Sequence, residues 1–203
     1  MRRLAAVSVV MLLAPLAARS ELVPCRRPAD AVRIAAALER IRRSVDPCGQ
    51  SAEIVALLDR LGRCARARYE ICTDTEATRN VFEHADRVEE PGRIVWNPEL
   101  RSELERGCDG DPVRPVLRDP TASLLHEIAH AVHDCDGVDA GAFEAEAVRI
   151  ENVYRRAEGL CQRTRYGDEM LPVASCDAGT CRCPGLVPAL STRTGVDAAD
   201  SAR

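Results

Sequence analysis

The chain has 203 residues, 46% of them hydrophobic, which suits one domain with appendages and a sizeable core. Aromatic residues make up only 3%, so that core must be largely aliphatic. The formal net charge of -4 offers no basic footprint for a nucleic-acid partner, and none is expected.

Residues 1–20 read as a signal peptide. Arg2-Arg3 form a basic start, Leu4 to Ala18 an apolar run, and Leu16-Ala17-Ala18-Arg19-Ser20 offers small residues for cleavage. The run is short for a membrane span and no stop-transfer segment follows, so no stable membrane association is expected once it is removed. Val23-Pro24 ahead of Cys25 argues against a lipid-modified cysteine. All ten cysteines lie beyond this segment: Cys25, Cys48, Cys64, Cys72, Cys108, Cys135, Cys161, Cys176, Cys181 and Cys183. An even number behind an export signal predicts disulfides and a secreted or periplasmic location, with connectivity left open. The lack of any Cys-x-x-Cys pair argues against a second metal site.

Residues 21–172 are expected to form the domain, and 173–203 a cysteine-containing tail that ends in disorder. Pro28-Ala29-Asp30 opens a helix with Ile34, Leu38, Ile41 and Val45 at helical spacing, broken by Asp46 to Gln50. Ser51 can cap a second helix carrying Ile54, Val55, Leu58 and Leu61. The alternation from Arg68 to Thr73 predicts a short strand. Gly92 to Trp96 predicts another, stopped by Asn97-Pro98. The second strand is expected beside the cleft, where an edge strand binds a substrate backbone, while Trp96 itself is expected in the core. Glu99 to Asp119, rich in Pro and Gly, predicts a long loop pinned by a disulfide at Cys108.

Asp119-Pro120 then starts a helix cleanly, with an N-cap residue and proline at the first position, running to about Cys135 and ending at Gly137. It carries His126-Glu127-Ile128-Ala129-His130, and three of the four histidines of the chain fall in this one segment. Histidines four apart share a helical face, so both can reach one zinc ion, and Glu127 can take a proton from the activated water. Leu124, Leu125, Ile128 and Val132 give that helix the apolar surface of a buried site.

A catalytic zinc takes three protein ligands. The next predicted helix, Ala142 to Glu158, has an apolar stripe of Phe143, Ala147, Ile150, Tyr154 and Ala157. Beside the stripe, Glu146 points inward and is the first choice as third ligand, while Glu144 and Glu151 fall nearer solvent. Asp136 is the alternative, six residues after His130, where metzincin-type peptidases place their third ligand. His133 lies about 10 Å along the axis from His126, too far to share the metal, and is read as structural.

The run from Ile94-Val95-Trp96-Asn97-Pro98, through Asp119-Pro120 and His126 to His130, to Glu144-Ala145-Glu146-Ala147-Val148-Arg149-Ile150-Glu151-Asn152 resembles the NleD-like effector zinc metallopeptidases. Gly159-Leu160 and Arg163-Thr164-Arg165-Tyr166-Gly167 resemble the segment closing such domains, so the likeness covers roughly residues 92–168. It implies an α+β zincin-like domain, helix-rich with a small sheet beside the site helix, stabilised here by disulfides. It also implies zinc (Zn2+) on His126, His130 and a downstream Glu, with Glu127 as base.

The expected activity is hydrolysis of a protein or peptide substrate by a secreted zinc metallopeptidase. Tyr166 is the expected oxyanion donor, and Tyr154 is read as core. The alternatives are a zinc-binding or non-catalytic binding protein on the same fold, and a zinc amidase acting on a cell-wall bond.

Overall fold

The computed structural model describes residues 22–25, 28–64, 68–84, 91–109, 111–137, 143–167, 169–171, 175–177 and 180–182. The expected signal peptide and most of the expected tail lie outside them. In chain order the elements are β1 (Val23–Pro24), α1 (Pro28–Arg43), α2 (Ser51–Gly62), β2 (Tyr69–Thr73), β3 (Val81–Glu83), β4 (Gly92–Trp96), β5 (Glu103–Cys108), β6 (Asp111–Leu117), α3 (Pro120–Cys135) and α4 (Glu144–Ala157). Two short hairpins follow, β7 (Arg165–Tyr166) with β8 (Glu169–Met170) and β9 (Ser175–Asp177) with β10 (Thr180–Arg182). The described residues thus form a mixed α+β structure of four helices and small sheets.

Helical spacing places the first two helices as expected, with small corrections at their margins. Ile34, Leu38 and Ile41 of α1 are buried, but the helix stops at Arg43 and Val45 stands exposed beyond it. In α2 the buried face is Ile54, Leu57, Leu58 and Leu61, and Val55 is exposed. These faces join the side chains of β2, β4, α3 and α4 in one aliphatic cluster, with Tyr69, Trp96 and Tyr154 as its large rings. Trp96 is buried as expected, its indole N–H donating to the Pro120 carbonyl at 2.8 Å.

The main sheet has the order β1-β2-β4-β3, with β1, β2 and β4 parallel and β3 antiparallel to β4. Ile71 and Phe82 both register with Ile94, so β4 is hydrogen-bonded on both sides. The expectation that the strand at 92–96 offers an edge to substrate is therefore corrected: β4 has no free edge, and β3 is the edge strand next to α3. Gly92 opens β4 where a Cβ would lie 2.8 Å from the Tyr69 ring, an approach only glycine permits.

The loop expected over residues 99–119 is also corrected. It is a hairpin of β5 and β6, with Glu103 opposite Leu117 and Arg106 opposite Pro115. Pro112 and Pro115 obscure the strand in the sequence, but β6 pairs on one side only, where missing N–H groups are tolerated.

Among the described residues, three cysteine pairs sit at disulfide distance: Cys25–Cys72, Cys64–Cys135 and Cys108–Cys161, with Cα separations of 4.8, 5.9 and 5.4 Å. They tie β1 to β2, the end of α2 to the end of α3, and the β5–β6 hairpin to the segment after α4. Among the described residues, no helix is long and apolar enough to cross a membrane.

Candidate metal centre

Helix α3 is built as its sequence dictates. Asp119, in extended conformation, accepts the Ala122 N–H at 2.8 Å, Pro120 takes the first turn, and Gly137 at φ 75° ends the element. Leu124, Leu125, Ile128, Ala129, Ala131 and Val132 are fully buried, so packing fixes the rotation of the helix. That rotation turns His126, Glu127 and His130 towards one cleft, together with Val81, Phe82, Arg118, Glu144, Glu151, Arg163 and Tyr166.

Within the cleft, the Nε2 atoms of His126 and His130 are 3.2 Å apart. Glu144 Oε2 lies 3.2 Å from the first and 3.3 Å from the second. A tetrahedral zinc with bonds of about 2.0–2.1 Å needs ligand atoms about 3.3–3.4 Å apart, so these three donors fit one face of its coordination shell. Both imidazoles present the same nitrogen to this shared point. The donor set of two imidazoles and one carboxylate, with one side open to the cleft, matches a catalytic site.

The third member is thus Glu144, not Glu146. Glu146 receives both Nε and Nη2 of Arg149, at 2.7 and 2.8 Å, and Arg149 also reaches Glu53 at 2.6 Å. Asp136 forms the C-cap of α3 and pairs with Arg60 of α2. His133 is buried and packs its ring on Phe143, centroids 4.5 Å apart, in the structural role expected of it. We expect Glu144→Ala to lose most of the zinc of the folded protein and Glu146→Ala to keep it. Metal analysis of the two variants after gel filtration checks this, and the opposite pattern would return the ligand role to Glu146.

Behind the histidines stands Glu151, whose side chain is 1% exposed. Its Oε2 lies 3.3 Å from His126 Nδ1 and 3.1 Å from Arg163, and its Oε1 takes the Arg155 Nε at 2.7 Å. His126 therefore has one nitrogen at the shared point and the other 3.3 Å from a buried carboxylate. This is an ion-pair approach and not a formed hydrogen bond, on the side from which a carboxylate orients a metal-binding imidazole. The expectation that Glu151 lies near solvent is overturned. The apolar stripe of α4 is one part of a helix buried nearly all round, because the segment at 162–164 covers its other face.

Charge follows geometry. Burial works against a charged His126, yet Glu144 and Glu151 lift its imidazole to about 9. Burial alone would raise Glu144, but hydrogen bonds from both imidazoles hold it well below the usual carboxylate range. Glu127 differs: burial pushes its carboxyl up, while the two imidazoles and, less strongly, the Phe82 backbone pull it partly back. Tyr166 stands on the cleft wall, its phenol pushed up by burial first and by the nearby Glu144 carboxylate. Tyr154 is buried in the core as expected.

No protein-family model, curated protein or solved structure matches this chain. The site must therefore be judged on its own geometry. Of the expected residues, the structure brings His126, Glu127, His130 and Tyr166 together and leaves Glu146 and Asp136 outside. Glu144 and Glu151 carried a signal that the helical wheel underweights: seven apart, they share a face with Ala147, Val148 and Arg155.

Proposed function

We propose that this chain is an exported zinc-dependent metallopeptidase of zincin-like fold, akin to the NleD-like enzymes it resembles in sequence. The observation that carries this reading is the double engagement of His126, with Nε2 in the donor triangle and Nδ1 against buried Glu151. Arg155 and Arg163 account for the burial of Glu151, but its approach to His126 Nδ1 together with a second carboxylate between the two imidazoles is what a metal site needs and two incidental histidines do not.

His126, His130 and Glu144 would hold the zinc ion, which would supply Lewis acidity towards a water and the scissile carbonyl. Glu127 removes the proton of the attacking water and returns it to the leaving amine, and its upward-shifted carboxyl suits a group that must both take and give one. Tyr166 donates its phenolic proton in a hydrogen bond to the developing oxyanion. The substrate backbone lies along the edge of β3, whose Val81 and Phe82 line the cleft.

The test is hydrolysis of a peptide library by the oxidised protein with and without a chelator. Cleavage that disappears on zinc removal and returns on zinc addition is the expected result. A folded, zinc-loaded protein that cleaves nothing would leave the binding-protein alternative in its place.

A further inference from the structure

The cleft contains a cation that the hydrolytic scheme does not use. Arg118 follows β6, its backbone N–H bonded to the Ser102 carbonyl at 2.8 Å, and its side chain is half-buried in the cleft wall. Its Nε donates to Ser102 Oγ at 3.2 Å and its Nη1 to Ser123 Oγ at 3.4 Å. No carboxylate among the described residues pairs with it, and the rest of its guanidinium fork has no partner there.

Nearby carboxylates are already engaged. Glu151 is taken by Arg155, Arg163 and His126, Glu144 by the two histidines, and Glu105 by Arg163. Arg118 feels the charges of Glu151 and Glu127 across the cleft, but neither carboxylate is in contact with it. Burial lowers the pKa of this guanidinium, which marks a cation partly stripped of water and held by two neutral hydroxyls. Such a group gains most from an anion that arrives with the ligand. Exposed Arg79, which pairs with no carboxylate among the described residues, lines the same cleft.

The position sets the register. Ser123, which holds one end of the Arg118 fork, and Glu127 are four apart on α3, so the fork meets the helix about one turn from the proposed base in the same cleft. That is the reach of a substrate residue adjoining the bond being cut.

We propose that Arg118 forms an anion subsite, and that the preferred substrates carry a carboxylate next to the scissile bond. This rests on the peptidase reading above. The carboxylate has two sources, an Asp or Glu side chain or the free C-terminus of the substrate, and the same fork fits either.

The test uses two peptide libraries that are identical except for Asp and Glu in one and Asn and Gln in the other, each with free and amidated C-termini. The zinc-loaded protein is expected to favour the acidic library by about 10- to 100-fold in kcat/KM, the worth of a charged hydrogen-bonded pair. In Arg118→Gln that ratio falls towards one, and in Arg118→Lys, which keeps the charge but loses the fork, it falls partway. A preference for the acidic over the neutral library assigns the subsite to side chains, and a preference for free over amidated C-termini, with the two libraries cleaved alike, assigns it to the C-terminus; the Arg118 variants act on whichever ratio departs from one. A wild-type ratio near one in every arm, or a ratio unchanged by Arg118→Gln, overturns the proposal and leaves the peptidase reading intact. If no library is cleaved, calorimetric titration of the same peptides into Glu127→Gln and Glu127→Gln/Arg118→Gln decides the subsite: tighter acidic binding lost in the double variant supports it, and equal binding overturns it.

Discussion

Replacing Glu127 with Gln is expected to lower peptide hydrolysis by about 10²–10⁴-fold while leaving the zinc content of the protein unchanged. The amide has the shape of the carboxylate and keeps an accepting oxygen in the same place, so the cleft stays intact. What it lacks is basicity. Glu127 faces the cleft but is not one of the three groups whose donor atoms converge, so metal retention and catalysis separate at this residue. Parallel zinc analysis and kinetics on one preparation make the comparison. Equal loss of zinc and activity would mean that Glu127 holds the metal, and undiminished activity would remove it from the mechanism.

Glu151→Ala is expected to destabilise the domain by about 3–5 kcal/mol, because it leaves buried charges without a partner. Its side chain and that of Arg155 are each 1% exposed, and Arg163 is 10% exposed, so solvent screens these charges little. Arg155 retains carbonyl acceptors at Cys161 and Leu117, and Arg163 retains Glu105, which keeps the loss within that range. Glu151→Gln preserves volume and some hydrogen bonding but removes the charge behind His126. It should fold better than the alanine variant and still weaken zinc binding by about 10–100-fold. Urea unfolding of the zinc-free proteins reads the first effect, and competition with a zinc chelator reads the second. A Glu151→Gln protein with wild-type zinc affinity would show that the carboxylate serves only the arginines.

Much of the scaffold could be read from the chain, since the relevant signals are local. Asp119-Pro120 and Gly137 bracket α3, and Trp96 was expected in the core where it lies. The misreadings share one cause: each depended on what covers the other side of an element. The strand at 92–96 reads the same whether it is an edge or an interior strand, and only the arrival of the short β3 decides the matter. Glu146 and Glu144 both flank the apolar stripe of α4. The choice between them is made by Arg149, which claims Glu146, and by the histidines, which claim Glu144. Glu151 looked solvent-facing because nothing local announces that Arg163 and the chain around it fold back over that side.

The Cys64–Cys135 link has a consequence for how such a protein comes to maturity. It joins positions 71 residues apart and anchors the last turn of the helix that carries His126 and His130. Closing a loop of that length removes roughly 4 kcal/mol of freedom from the unfolded chain. A reduced chain therefore folds with a smaller margin of stability than the oxidised one, the difference arising in its unfolded state. Order of assembly follows from chemistry: the link contributes only once its two thiols have been oxidised.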